Sequence, residues 1–172
     1  SGLASSASSF AALTKCACQA LSDLTQKPLP SVDIQAQLSR EGSGSSCRSF
    51  YSPWALWDET QVSTIELPYT DLIHHVIIIS EEEKAVSSKS AHLAIQSSPE
   101  YQFRTARARE RLHHLIEAMK HRDWLHMKDI CWEEFIDMHQ LFETANPPFH
   151  YINHKAKEAL NMLKEFWHTH RD

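Results

Sequence analysis

Apolar residues fall along this chain in two rhythms, and the change between them divides it. Phe10, Leu13, Ala17, Leu21 and Leu24 recur at helical spacing, which predicts a first helix from about residue 4 to residue 24. Pro28 and Pro30 cannot continue a helix, so the segment 26–31 ends it. Ser31 is placed to cap a short second helix that reaches about Arg40, with Ile34 and Leu38 four residues apart on one face. Residues 54–58 and 62–67 interleave apolar and polar side chains and predict two strands. The stretch "LIHHVIIIS" (72–80), β-branched through its second half, predicts a third and buried strand. Beyond it the rhythm is helical to the end, with helices predicted over 91–96, 99–121 and 124–143. In the last of these, Trp124, Met127, Cys131, Phe135, Met138 and Phe142 step by 3, 4, 4, 3 and 4, a stripe that reads as core. Pro147 and Pro148 interrupt, and Ile152, Ala156, Leu160, Leu163 and Trp167 mark a final helix. The order predicts an α+β fold with a mixed first part, 1–70, and a helix-rich second part, 71–172.

Composition narrows the function classes. Hydrophobic residues make up 42% of the chain, enough for a packed core. A net charge of −5 argues against a general nucleic-acid binder, which needs a basic surface. No apolar run approaches the ~18 residues of a membrane span. The first fifteen residues lack the basic start and apolar centre of a signal peptide. The four cysteines have no framework spacing, and free thiols in a reducing cytoplasm are expected. The twelve histidines include adjacent pairs, His74-His75 and His113-His114, whose rings diverge, while His121 and His126 are five apart instead of the helical four. No histidine metal site is predicted.

The chain has three glycines, and all of them sit among serines: Gly2 in "SGLASSAS" and Gly42 and Gly44 in "REGSGSSCRSF". Glycine permits a tight turn and a close backbone approach. Small hydroxyl residues at a helix start leave the first N–H groups open and add donors of their own, a build suited to phosphate. The same residues also make ordinary turns and caps. The repetition of the build, with Arg48 added in the second loop, favours two anionic groups bound close together. "KAVSSKSAH" (84–92) has a related composition, for which an ordinary capped helix is the plainer reading.

"SGLASSASSFAAL" resembles the phosphate-binding loop of the small-molecule kinase superfamily that includes galactokinase, homoserine kinase and mevalonate kinase. "GSGSSCRSFYSPWALW" is similar to the signature of the diphosphomevalonate decarboxylase family, and "HHVIIISEEEKAVSSKSAH" and "FIDMHQLFETANPPFHYIN" resemble later segments of it in the same order. The resemblance covers nearly the whole chain. It implies the fold of that superfamily, with a partial nucleotide- and substrate-binding domain over 1–70 and a partial C-terminal domain over 71–172. It also implies ATP-dependent decarboxylation of mevalonate 5-diphosphate to isopentenyl diphosphate, with ATP and Mg2+ as companions. By the same resemblance Gly2, Ser5 and Ser6 belong to the ATP phosphates, and Ser43 and Ser45 to the substrate. Arg48 grips the substrate carboxylate and is the catalytic candidate. Ser88, with Ser87, lines the substrate cleft from the second domain. A cytoplasmic enzyme, often a homodimer, is the implied setting, with no nucleic-acid or membrane partner.

Some of the family pattern is absent from these 172 residues. The family carries an aspartate in an Asp-Ala-Gly-Pro-Asn segment that acts on the substrate hydroxyl, and an early Tyr and Lys that contact the diphosphate. Family chains are about twice as long, so the sequence reads as an internal portion, inactive by itself, and Asp172 is no substitute for the missing aspartate. Ser9 and Lys89 also depart from the pattern, and Lys89 is expected to face solvent. Two other readings stay open: a same-fold kinase that phosphorylates the tertiary hydroxyl of mevalonate or its phosphate and stops there, and a phosphate-binding module without turnover.

Overall fold

A computed structural model describes residues 5–58, 61–69, 71–79 and 86–170, without the side chains of Ser88 and Lys89. The fold is α+β and the chain separates into two units, Ser1–Thr70 and Asp71–Asp172. No helix among the described residues is long and apolar enough to cross a membrane.

In the first unit α1 (Ser5–Thr25) packs on α2 (Val32–Ser39) and on a short 3-10 turn, Ser46–Phe50. Ser31 caps α2, its hydroxyl accepting from the Ile34 amide at 3.4 Å. The apolar spacing locates both helices and misplaces their buried sides. On α1 the buried residues are Ala11 and Cys18, while Leu13, Leu21 and Leu24 are exposed. On α2 they are Gln35, Ala36 and Ser39, with Ile34 and Leu38 half exposed. The reason is closeness: small residues let α1, α2 and the turn approach, and each buried polar group is satisfied locally. Gln35 donates to the Pro30 carbonyl at 2.7 Å, and Ser39 donates to the Ala36 carbonyl at 2.7 Å.

Strands β1 (Ala55–Asp58) and β2 (Gln61–Thr64) form an antiparallel hairpin in which Ala55 faces Thr64 and Trp57 faces Val62. One further bond, from the Ile65 amide to the Trp54 carbonyl at 3.0 Å, extends the pairing past β2.

The second unit opens with 71–79, which holds no strand among the described residues. The predicted strand over 72–80 is corrected on this point for 72–79, and residue 80 lies outside the described residues. A strand exists through its hydrogen-bonded neighbour, and these residues have none in the described unit. Ile73, Val76, Ile77 and Ile78 are exposed rather than buried. Helix α3 (Ser88–Ala94) runs into a 3-10 turn, Ile95–Ser97, and is followed by α4 (Tyr101–Lys120), α5 (Trp124–Glu143) and α6 (His154–Thr169). Asp123 and Asn153 cap α5 and α6, accepting from the His126 and Ala156 amides at 3.0 and 2.9 Å.

The three-residue link 121–123 folds α5 back onto α4, and the seam between them is partly ionic. Met127, Ile130, Asp137, Leu141 and Phe142 are the buried residues of α5, whereas Trp124, Cys131 and Met138 of the predicted stripe are exposed. Asp137 is turned inward because α4 offers it three arginines. Arg107 and Arg111 reach it at 2.8 and 2.7 Å, and Arg104 at 3.5 Å while also pairing with Glu134. Burial alone pushes the Asp137 carboxyl up, but the hydrogen bonds from Arg107 and Arg111 outweigh it and hold the group below the ordinary carboxylate range. Trp132 meets Trp167 of α6 edge-on with 5.6 Å between ring centres, and Phe142, Phe149 and Tyr151 form a cluster with centres 5.0 to 5.4 Å apart.

Candidate active site

The first unit carries the residues that the two serine-rich loops nominate, and it brings Ser6 and Ser43 together. Ser5 and Ser6 open α1, whose first turn carries no acidic side chain. The amides at that end have no carbonyl within the helix to bond, which leaves donors and positive potential there. The Ser5 carbonyl is occupied by the Ser8 hydroxyl at 3.1 Å, and the Ser6 hydroxyl lies 3.5 Å from that of Ser43. The two loops are therefore adjacent. Gly2 lies outside the described residues.

The second loop is held from behind by a buried hydrogen bond. Ser46 donates to Ser39 at 2.6 Å, with both side chains almost fully enclosed, so the end of α2 is tied to the start of the turn. The backbone adds bonds from Gly42 and Ser43 amides to the Ser39 carbonyl, each 3.2 Å, and from the Ser46 amide to the Ser43 carbonyl at 2.9 Å. Ser43 and Ser45 stay half-buried, and Arg48 is exposed. The Ser45 side chain makes no capping bond. This loop opens a 3-10 turn and not an α-helix. It makes five residues of 3-10 turn, too short for an aligned dipole. Hydroxyls and a guanidinium are what it presents.

Its two glycines have different reasons. A Cβ on Gly42 would stand 2.0 Å from Cδ1 of Phe10, so this glycine serves the contact with α1 and not a ligand. A Cβ on Gly44 would meet nothing within 4 Å, while its carbonyl accepts from the Cys47 thiol at 3.5 Å.

Arg48 and Arg40 share one neighbour that the sequence does not advertise. Their guanidinium carbons lie 5.9 and 5.0 Å from the ring centre of Trp57 on β1. Beside them a cavity of ≈ 530 Å³ is lined by Asp33, Gln37, Arg40, Tyr51, Gln61 and Ser63 among others, and by none of Ser43, Ser45 or Arg48. At its wall Tyr51 donates to Asp33 at 2.5 Å, and that hydrogen bond pushes the phenol up to about 12.

In the second unit Ser87 caps α3, accepting from the Ser90 amide at 3.1 Å and lying 2.8 Å from the Ser90 hydroxyl. The side chains of Ser88 and Lys89 lie outside the described residues, as do residues 84 and 85. Tyr151, in the proline-bounded turn before α6, donates to the Val86 carbonyl at 2.9 Å and so anchors the approach to α3. Burial raises its phenol above the usual value. All four cysteines are free, and no group of three or more metal-ligating side chains occurs among the described residues.

Known proteins give this arrangement a context. Residues 1–65 match the family model of the diphosphomevalonate decarboxylase-like N-terminal domain, and residues 74–172 match that of the mevalonate 5-diphosphate decarboxylase C-terminal domain. The diphosphomevalonate decarboxylase of Danio rerio is 26% identical over 180 residues, covering 96% of this chain and 42% of that protein. A mevalonate diphosphate decarboxylase from Legionella pneumophila has a TM-score of 0.95 at 57% identity, covering 99% of this chain and 54% of that one. A structure of MDDEF in complex with MVAPP, AMPPCP and magnesium has a TM-score of 0.80 at 25% identity, covering 98% of this chain and 53% of that one. The chain thus spans about half the length of the relatives it matches. With the C-terminal domain alone accounting for more than half of its residues, the chain belongs to the diphosphomevalonate decarboxylase family.

Proposed function

We propose that the protein carrying this chain converts mevalonate 5-diphosphate and ATP to isopentenyl diphosphate, carbon dioxide, phosphate and ADP. The observation that carries the reading is the contact between Ser6 and Ser43, which sets a helix N-terminus suited to phosphate against the loop of Ser43 and Ser45 that leads into the turn bearing Arg48. Two polyanions and a carboxylate must dock side by side in this reaction, and hydroxyls, open amides and a guanidinium are the groups that dock them. The family membership and the ligands of MDDEF support the same substrates.

The donor set fits the phosphates of ATP: serine hydroxyls, N–H groups and no carboxylate in the first turn of α1. Ser5 and Ser6 would hold them, with Gly2 beside them by sequence resemblance. Bound with magnesium, ATP supplies the phosphoryl group that makes the tertiary hydroxyl a leaving group, and the metal offsets the charge that develops. Ser43 and Ser45 bind the substrate. Arg48 holds its carboxylate through two parallel N–H donors and so orients the neighbouring hydroxyl. Its grip has to be firm enough to position and loose enough to release, because the carboxylate leaves as carbon dioxide. Ser87 and Ser88 are assigned to substrate by resemblance, and Ser87, whose oxygen accepts from the Ser90 amide, can donate its hydroxyl proton to a substrate anion when the Ser90 hydroxyl is the donor in their mutual contact. A cytoplasmic homodimer is the setting the same resemblance suggests.

Replacing Arg48 by alanine in the complete gene product tests the reading. Turnover is expected to fall by several orders of magnitude, and a loss below about tenfold would mean that another cation holds the carboxylate.

A further inference from the structure

Two groups of arginines in this chain are held in opposite ways. Arg104, Arg107 and Arg111 are committed to Glu100, Glu134 and Asp137, and their donors are taken by protein carboxylates. Arg40 and Arg48 have no carboxylate within ion-pair distance among the described residues. What they have is the indole of Trp57, at 5.0 and 5.9 Å. An aromatic face attracts a cation through its quadrupole and leaves the N–H fork free. A carboxylate would hold Arg48 as well, but it would occupy those donors and cancel the charge that a substrate anion has to meet.

Trp57 itself carries a sign that the ring face is its purpose. Its Nε1 is buried and has no hydrogen-bond partner among the described residues. A buried tryptophan N–H usually finds an acceptor, and a phenylalanine here would avoid the cost of an unpaired donor. The indole's advantage over a phenyl ring at such a position is its stronger attraction for cations. Two elements fix the ring: β1, through pairing of Trp57 with Val62, and Arg40 at the C-cap of α2.

We propose that Trp57 is a positioning residue for Arg48, aiming its guanidinium while leaving every donor available to the substrate carboxylate. Arg40 shares the ring and ties it to the end of α2. The inference rests on the assignment of Arg48 to that carboxylate.

The test is a double-mutant cycle in the complete gene product, with W57L, R48A and the pair, read as carbon dioxide release from carboxyl-labelled mevalonate 5-diphosphate. W57L is expected to lower kcat/KM for this substrate about 3- to 30-fold, with the KM for ATP unchanged. W57F, which keeps an aromatic face, recovers most of the loss. On the R48A background W57L has no further effect, because Trp57 acts through Arg48. Multiplying effects of W57L and R48A would overturn the proposal, and so would a W57F as impaired as W57L or a fully active W57L. Should W57L fail to fold, the same cycle is run with W57F, whose smaller loss must likewise vanish on R48A. An R48A variant that is itself nearly unimpaired would instead overturn the carboxylate assignment, a separate failure.

Discussion

The hydroxyl oxygens of Ser6 and Ser43 lie 3.5 Å apart although 37 residues separate them in sequence. One belongs to the first turn of α1 and the other to the loop leading to Arg48. On the proposed function these neighbours serve different ligands, which kinetics can separate. Ser43→Ala is expected to raise the KM for mevalonate 5-diphosphate by about 10- to 150-fold, the loss of one hydrogen bond to a charged group, with a smaller change in kcat. Ser6→Ala is expected to raise the KM for ATP instead. Steady-state kinetics with each substrate varied in turn checks both, and an unchanged affinity removes Ser43 from the site.

Gly42 and Gly44 look equivalent in sequence and are predicted to behave oppositely. Gly42→Ala drives a methyl group into the Phe10 ring and should destabilise the protein by about 1–3 kcal/mol, an overpacking cost. Gly44→Ala meets open space and should be neutral, or stabilising by up to about 1 kcal/mol through the unfolded chain. Chemical unfolding of each variant distinguishes them, and adding Phe10→Ala should relieve the strain in the first and do nothing for the second.

Helix positions were legible in the apolar spacing, and helix faces only in part: Met127 and Phe142 of the α5 stripe are buried, while Trp124, Cys131 and Met138 are exposed. The seven-residue rhythm locates α5, yet the residue turned inward is Asp137 and its neighbour Met138 is exposed. Spacing cannot reveal that, since the reason lies on α4, in Arg104, Arg107 and Arg111. The run 76–79 failed for a related reason: β-branched side chains favour a strand, but only a neighbouring strand makes one. The serine loops were legible because hydroxyls, glycines and Arg48 lie close in sequence. The groups that organise them, Ser39 with Ser46 and Arg40 with Trp57, were hidden because each works through a contact between elements.

Asp137 gives the second unit an acid sensitivity of definite sign. Its carboxyl is depressed in the folded protein, so its contribution is fully present above the unfolded value, near 3.9 for an ordinary aspartate, and is lost as pH falls through the folded value. Asp137→Asn should cost about 2 kcal/mol at neutral pH, less than a fully enclosed pair because the three arginines keep part of their hydration. The difference between wild type and variant should shrink as the pH falls below about 4. Unfolding curves from pH 7 down to pH 3 check this, and a constant difference would mean that packing, not charge, sets the cost.

The identity of the products tests the central claim most directly. The complete gene product would be given ATP, magnesium and mevalonate 5-diphosphate, and the products would be separated and counted. Isopentenyl diphosphate with equal amounts of carbon dioxide, phosphate and ADP is the predicted result. ADP with a stable phosphorylated substrate and no carbon dioxide would contradict it and leave a kinase on the same fold.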